Sequence, residues 1–233
     1  MNNGVMDSTY AEGRLKRPEL VYRYQVRALA ALNAAPEIKN GALLDLGCAD
    51  GLTLKELIRI GHPSKAVGIE MAPDLAEIAR SNGLDIIEGN VEELPVELEN
   101  DSFDVVTALA LLEHLDHPDK CLKEVSRVLK PGGIFVASSP NPFWDEMAEK
   151  MGIHKEKAHH VVDMKPEVFH QLCRENGLNY IQTIPFMLVF TAFLPYLKLK
   201  PDPNIALFVD ELLANKYTSP FYVNQLFTAR KGA

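Results

Sequence analysis

Apolar residues follow two alternating patterns along this chain. Short continuous apolar runs predict strands buried on both faces of a sheet. The predicted strands begin at Ala42, Lys65, Phe103 and Ile134. Apolar positions at helical spacing predict helices over residues 18–35, 118–129 and 165–175, and one after Gly51. Strands that alternate with helices predict an α/β fold whose ligands bind at the carboxyl ends of parallel strands.

The turn after the first predicted strand is where a ligand is expected. Its sequence is Asp45-Leu46-Gly47-Cys48-Ala49-Asp50-Gly51, and its glycines let the backbone approach a bound molecule without an intervening Cβ atom. The dinucleotide pattern G-x-G-x-x-G would need glycine at positions 47, 49 and 52, but Ala49 and Leu52 stand at two of them. A nicotinamide- or flavin-dependent oxidoreductase is therefore disfavoured.

A carboxylate ends the second predicted strand. Glu70 falls 19 residues after Gly51, and a carboxylate at such a strand end can accept both hydroxyls of a ribose. The polarizable sulfur of Met71 could lie against an adenine ring. The alternative is that Glu70 only caps the helix predicted near Pro73, a task for which Asp74 is also placed.

Three further motifs follow in order. Glu88–Pro95 is similar to a G-D-A-x-x-L-P segment, with Asn90 in place of the acid. The predicted strand Phe103–Leu109 then leads into Ala110–Leu115. Last, Leu129–Gly133 has the sequence L-K-P-G-G and precedes another apolar run. Together with D-x-G-C-x-x-G at 45–51 and the acid Glu70, this series resembles the class I S-adenosylmethionine-dependent methyltransferases of the type 11 group. The resemblance covers about the first 140 residues.

The resemblance implies a fold and a division of the chain. The expected fold is a Rossmann-like, seven-stranded, mostly parallel sheet with helices on both faces and an antiparallel last strand. Residues 179–185 and 222–230 would form its last antiparallel pair. Residues 1–40 would be an N-terminal helical lid, 41–140 the cofactor-binding core, and 141–233 the acceptor-side half with an insertion at 186–219, all within a single domain. The lid helix could equally be ordinary scaffold at the sheet.

The resemblance also implies S-adenosylmethionine as cofactor and methyl transfer to a small-molecule acceptor. The cofactor would lie against a set of residues at the strand ends, with Asn90 accepting from the adenine amine. This set is Asp45, Gly47, Cys48, Ala49, Gly51, Glu70, Met71, Asn90, Val91 and Ala110. A cofactor-binding protein that lacks transfer activity and acts as an interaction module is the alternative.

The candidates for a general base are His114 and the cluster His154, His159 and His160. His114 is preferred, because it follows the fourth predicted strand and a histidine has an unperturbed pKa near neutrality. The alternative for His114 is a structural hydrogen-bonding role. Relatives with E-x-x-E-H at this point look like metal-assisted O-methyltransferases, but here Ala110 stands at the first carboxylate position. No metal is therefore predicted, although Glu113, His159, His160 and Asp163 would be the ligands to consider.

The segment Ile184–Leu197 is strongly apolar. Its 14 residues include two prolines and are too short for a membrane-spanning helix of about 20 residues, so part of it is predicted to be a buried strand. Aromatic residues here and behind it are predicted to line an acceptor pocket for an apolar or aromatic acceptor. They are Phe186, Phe190, Phe193, Tyr196 and Phe208. A dimer contact or core packing is the alternative, and monomer and homodimer both remain open.

The composition of the chain bears on its binding partners and on the cellular compartment in which it works. The formal net charge of the 233 residues is −8, so a nucleic-acid partner is not expected. The three cysteines, Cys48, Cys121 and Cys173, form no C-x-x-C pair, and the polar amino terminus lacks the features of a secretory signal. A cytoplasmic protein is predicted.

Overall fold

Seven strands form one sheet in the computed structural model of this chain, which describes residues 18–144, 161–215 and 217–232. The strands are β1 (Ala42–Leu46), β2 (Lys65–Glu70), β3 (Ile86–Glu88), β4 (Phe103–Leu109), β5 (Leu129–Pro140), β6 (Leu178–Leu188) and β7 (Tyr222–Lys231). Their order across the sheet is β3-β2-β1-β4-β5-β7-β6. The pairs from β3 to β5 are parallel, whereas β7 runs antiparallel to both of its neighbours. The predicted sheet and its antiparallel last strand are confirmed.

Helices cover both faces of this sheet. They are α1 (Pro18–Ala34), α2 (Leu52–Gly61), α3 (Pro73–Ser81), α4 (Pro118–Val128), α5 (Pro166–Glu175), α6 (Val189–Phe193) and α7 (Pro203–Leu213). A proline stands in the first turn of α3, α4, α5 and α7. Proline is well suited to this position because its fixed φ is already helical and the amide hydrogen it lacks would have no partner within the helix.

Successive residues of the central strands point into different cores. Leu43 and Val105 pack into the core shared with α1 and α2, while Leu44 and Val106 pack into the core shared with α4 and α5. This alternation is the ordinary geometry of a strand buried on both faces. Polar groups on these strands can therefore reach a ligand only at the ends of the sheet.

The apolar segment 184–197 is divided among three elements. Its first part completes β6, as predicted, and the rest forms α6 and a 3-10 helix at Leu194–Leu197. The predicted antiparallel pair is present, but β6 and β7 are joined through α6 and α7 rather than by a tight turn. Among the described helices, none is long and apolar enough to cross a membrane.

Candidate cofactor-binding site

A cavity of about 230 Å³ opens at the carboxyl ends of β1, β2 and β4. Most residues predicted to bind a cofactor or an acceptor line it, namely Asp45, Gly47, Cys48, Ala49, Glu70, Met71, Asn90, Val91, Ala110 and His114. The sequence reasoning missed a second group, which consists of Tyr24, Arg27, Thr53, Leu75, Glu92, Leu109, Leu111, Leu115 and Asp116. The strand ends thus bring residues that are distant in sequence to one crevice.

The turn between β1 and α2 is held in a left-handed backbone conformation. The φ angles are +64° at Gly47, +51° at Ala49 and +80° at Gly51. A left-handed conformation costs roughly 1–2 kcal/mol for a residue with a Cβ atom, so Ala49 adopts it against its own preference. The Ala49 amide donates a 2.8 Å hydrogen bond to Glu70 Oε2, which ties the turn to the end of β2.

Glu70 is fixed by two backbone amides. Besides the bond from Ala49, its Oε1 accepts a 2.8 Å hydrogen bond from the amide of Ala72, which immediately precedes α3. Its carboxylate therefore serves the start of the helix, as the alternative predicted, and also lines the cavity. Each carboxylate oxygen keeps a second lone pair, so the geometry leaves acceptors for a ligand diol.

Asp45 is a buried acid at the end of β1. The Thr107 hydroxyl on neighbouring β4 donates a 2.6 Å hydrogen bond to its Oδ1. Burial raises the pKa of Asp45 to about 7, and the negative charge of Glu70 adds to this, whereas the Thr107 hydrogen bond and the positive charge of Arg27 oppose it. Asp45 thus changes its charge near neutral pH.

Gly51 is the predicted cofactor residue that does not line the cavity. A Cβ atom at Gly51 would lie 2.2 Å from Leu84 Cδ1 and 3.1 Å from Ala79 Cβ. Gly51 is therefore required by the close packing of the start of α2 against α3 and the residues that follow it. The D-x-G-C-x-x-G pattern did not distinguish this packing role from ligand contact.

Asn90 lines the cavity after β3, but its side chain is partly engaged. Its Oδ1 accepts a 2.9 Å hydrogen bond from the amide of Glu92, which shapes the loop. The predicted contact to an adenine amine would have to use the second lone pair of this oxygen.

Helix α1 supplies two residues that the sequence reasoning did not single out as site residues. Tyr22 and Val26 are buried in the core, while Tyr24 and Arg27 line the cavity. The Arg27 guanidinium carbon lies 5.9 Å from the centre of the Tyr24 ring. The signal available in the sequence was a cation at position 27, three residues after the aromatic residue Tyr24. This helix is both scaffold and part of the site.

His114 lies in the 3-10 helix Leu112–His114 that follows β4. It lines the cavity beside Ala110, whose amide donates hydrogen bonds to the carbonyl and hydroxyl oxygens of Ser138 on β5. Glu113 is buried and does not line the cavity. No cluster of three or more metal-ligating side chains occurs in the part of the chain that the structure describes. His154, His159 and His160 lie outside the described residues.

None of the described residues of the insertion at 186–219 lines this cavity, so the role of the insertion in an acceptor pocket stays a prediction. Phe186 is buried in the core, and Phe190 and Phe208 are exposed and are not part of the cavity lining. The side chains of Phe193 and Tyr196 are outside the described set. The physical reason is that α7 packs against β6 and α1, and it is α1 that supplies this wall of the cavity.

Substitution of Gly47 tests the turn directly. In Gly47→Ala the new Cβ atom would lie 2.6 Å from Leu111 Cδ1 in a backbone of positive φ. We expect the free energy of unfolding to fall by about 1–2 kcal/mol from the backbone alone, and further from the contact with Leu111. Thermal or denaturant unfolding measures the change.

Gly132→Ala is the matched control, because Gly132 also has a positive φ but nothing lies within 4 Å of its added Cβ. Equal destabilisation in the two variants would contradict the close approach to Leu111.

Comparison with known proteins identifies the domain. Residues 44–137 match a family model described as a methyltransferase domain. A ubiquinone biosynthesis O-methyltransferase from Xanthomonas oryzae pv. oryzae is 34% identical over 116 residues, which cover 47% of this chain and 47% of that relative. The chain spans about half the length of the curated relatives it matches.

Solved structures share the whole fold. The methyltransferase bound to the Trm112 activator of Haloferax volcanii matches 98% of this chain and 100% of its own with a TM-score of 0.69 at 19% identity. A SAM-dependent methyltransferase from Thermotoga maritima is 22% identical and has a TM-score of 0.64. The match covers 94% of this chain and 95% of that chain. Residues 44–137 of this chain therefore form a methyltransferase domain, the cofactor of which is S-adenosylmethionine.

Proposed function

We propose that this chain transfers the methyl group of S-adenosylmethionine to a small-molecule acceptor. The observation that carries the proposal is the Glu70 carboxylate, held at the cavity by two backbone amides beside the left-handed turn at Gly47 and Ala49. A diol-binding acid next to a backbone-lined turn fits a nucleoside that carries an amino-acid tail.

The residues of the cavity divide into roles that follow their chemistry. Glu70 would accept the ribose hydroxyls, and Asn90 and Val91 would contact the adenine, with Met71 against its face. Arg27 lines the cavity, and its positive charge acts on Asp45, which also lines it. We therefore assign Arg27 to the carboxylate of the cofactor's methionine portion, since guanidinium groups bind carboxylates well.

The chemistry asked of this protein is modest. When bound, the cofactor supplies a methyl group already activated by a positively charged sulfur. The chain's own task is then mainly to orient the acceptor and to exclude water, which Tyr24 and Leu111 are placed to do at the cavity wall.

The residues after β4 give the cavity an apolar wall and the candidate base His114. Leu109, Leu111 and Leu115 line the cavity near His114. This apolar lining supports an apolar or aromatic acceptor. The residues that would contact the acceptor follow β4 and do not belong to the insertion. The O-methyltransferase relatives favour a hydroxyl acceptor, whose proton His114 would remove.

The three cysteines are buried and free of disulfides, which fits the predicted cytoplasmic setting. The division into a lid at 1–40, a core at 41–140 and an acceptor-side half at 141–233 stays a prediction. For the lid, the position of Tyr24 and Arg27 at the cavity is the support.

Untargeted metabolite profiling tests the function. Cell extract is incubated with the purified chain and S-adenosylmethionine carrying a deuterated methyl group, and products are sought by mass spectrometry. We expect at least one metabolite to gain the labelled methyl mass, and the Glu70→Gln variant is the control. Cofactor binding without any labelled product would instead favour the non-catalytic interaction module.

His114→Gln tests the base. Loss of the imidazole should lower kcat by about 100-fold, at the lower end of what a general base contributes, because the methyl group is already activated. The affinity for S-adenosylmethionine should stay within twofold, and the acidic limb of the pH–rate profile should disappear. An unchanged kcat with an unchanged pH profile would leave His114 a structural residue.

Transfer is predicted to need no divalent ion, because Ala110 stands where the metal-assisted relatives have a carboxylate. Activity measured after dialysis against a chelator should equal that of the untreated protein. Activity abolished by the chelator and restored by magnesium or zinc would contradict the prediction, and Glu113, His159 and His160 would become the first ligands to test.

A further inference from the structure

Strand β3 lies at one edge of the sheet and pairs only with β2 among the described strands. It consists of three residues, Ile86–Glu88. A short edge strand makes few hydrogen bonds and opens more easily than a central strand. Asn90 and Val91 follow β3 directly and line the cofactor cavity. The position of these two residues therefore depends on a strand that the sheet itself holds weakly.

The charges around β3 weaken it further. Residues 85–93 contain no lysine or arginine but four carboxylates, on Asp85, Glu88, Glu92 and Glu93. Glu88 is also the register partner of Glu70 on β2. Like charges at neighbouring positions of a sheet are destabilising, so this segment needs a cation from another part of the chain.

Arg80 on α3 supplies this cation and covers the outer edge of β3. Its Nε donates a 3.1 Å hydrogen bond to the Ile86 carbonyl, and its Nη1 donates a 2.6 Å hydrogen bond to Glu88 Oε1. The amide of Gly68 on β2 pairs with the Asp85 carbonyl, so the next carbonyl, that of Ile86, faces away from β2. Arg80 thus takes the place that a further strand would have at this edge.

Helix α3 connects this edge to the ribose acid. At its start, the amide of Ala72 donates a 2.8 Å hydrogen bond to Glu70 Oε1, and Arg80 lies in its last turn. The nine residues of α3 form a rigid spacer of about 13 Å between these two attachments. The spacing between Glu70 and the residues after β3 is therefore set through α3 as well as through the pairing of β2 with β3.

We propose that Arg80 is a positioning residue for recognition of the adenine base, because it holds β3 so that Asn90 and Val91 meet the edge of the base. Arg80 is not among the described residues that line the cavity, so it acts through β3. This inference rests on the proposed assignment of Asn90 and Val91 to the adenine. A protein in which β3 opens would still hold the ribose through Glu70 but would distinguish poorly between bases.

Calorimetry with two ligands tests the role of Arg80. They are S-adenosylhomocysteine and S-inosylhomocysteine, in which an oxygen replaces the amino group of the base. The wild type should bind the adenosyl ligand at least about 10-fold more tightly, because the Asn90 oxygen would accept from the amine and face an oxygen in the other ligand. Arg80→Met should lower this preference by at least about fivefold. Arg80→Lys keeps the charge but lacks the fork that reaches both acceptors, and its preference should be intermediate.

Arg59→Met is the matched control. Arg59 forms a 2.8 Å ion pair with Glu56, but both residues lie on α2 and neither is among the described residues that line the cavity. Its preference for the adenosyl ligand should equal that of the wild type. Hydrogen exchange of residues 85–93 in the ligand-free protein adds a readout that needs no ligand. Exchange there should be faster in Arg80→Met and unchanged in Arg59→Met.

An Arg80→Met variant that keeps the wild-type preference, or the wild-type exchange of residues 85–93, would overturn the proposal. The Arg80 side chain is 41% exposed, so methionine fits without a buried cavity, and circular dichroism verifies the fold. A wild type that binds both ligands equally would overturn the assignment of Asn90 and this proposal with it. A wild type that binds neither ligand would overturn the proposed function itself, so the two failures are distinguishable.

Discussion

Glu70→Gln will weaken the binding of S-adenosylmethionine by about 2–4 kcal/mol, or roughly 30- to 1000-fold in Kd. The glutamine removes the charge that strengthens hydrogen bonds to a ligand diol. In the wild type each carboxylate oxygen accepts one 2.8 Å hydrogen bond, from the amide of Ala49 or of Ala72. The NH₂ group of glutamine would replace one of these oxygens and place a donor against a donor. The turn and the ligand acceptors are thus lost together. Isothermal titration calorimetry measures the affinity of both variants.

Glu77→Gln is the matched control for this experiment. Glu77 is an exposed glutamate on α3, does not line the cavity, and its substitution makes the same chemical change. Its affinity for the cofactor should equal that of the wild type. Equal affinity in the Glu70→Gln variant as well would remove Glu70 from the binding site and with it the main support for the proposed function.

Asp45→Asn will stabilise the ligand-free protein at pH 8. Burial raises the pKa of the Asp45 carboxyl from 3.8 to about 7 in the folded state, and a shift of this size corresponds to an opposing free energy of up to about 4 kcal/mol when the group is charged. Asparagine removes the charge and keeps an oxygen that accepts the 2.6 Å hydrogen bond from Thr107.

The sign of the pH dependence follows from which state binds the proton more tightly. Between pH 3.8 and about 7 the folded state holds a proton on Asp45 that the unfolded state has released, so raising the pH lowers stability. The free energy of unfolding of Asp45→Asn should therefore equal that of the wild type below about pH 4. The excess of the variant over the wild type should grow up to about pH 7 and stay constant above it. Urea unfolding at a series of pH values measures this difference.

Asp104→Asn provides a control of opposite sign. The Asp104 carboxylate accepts hydrogen bonds from the Ala42 amide and the Lys130 ammonium group, and these lower its pKa against a partial burial that would raise it. The charged form of Asp104 is thus favoured in the folded state, and its removal should reduce stability at neutral pH. If Asp45→Asn is also destabilising at pH 8, the charge of Asp45 is compensated in the folded protein and the prediction is wrong.

The cofactor half of the site could be predicted because its residues are fixed by local sequence. A strand that ends at Asp45 or Glu70 and a turn at Gly47 are encoded within a few positions, and parallel strands place their carboxyl ends side by side without further information. Each of these three residues lines the cavity as expected.

The remainder depends on tertiary packing, which no local pattern records. Arg27 faces the cavity because of how α1 packs across α2 and α7, and the insertion carrying Phe208 lies behind α1 for the same reason. Gly51 matches the sequence pattern, but the structure requires a glycine there because a Cβ atom would collide with Leu84, and not because a ligand lies beside it. The aromatic residues of the insertion have no common environment in the fold, since Phe186 is buried in the core whereas Phe190 and Phe208 are exposed.

The position of β7 between β5 and β6 constrains how the chain acquires its structure. Ile134 of β5 pairs with Arg230 of β7, so the sheet cannot be completed until a segment far along the chain has been synthesised. Until then β5 presents an unpaired edge beside an already assembled set of parallel strands, and such an edge readily pairs with other chains. Closure of the sheet is a long-range and therefore slow event. Overproduction at low temperature, which slows synthesis and aggregation relative to closure, should consequently increase the yield of folded protein.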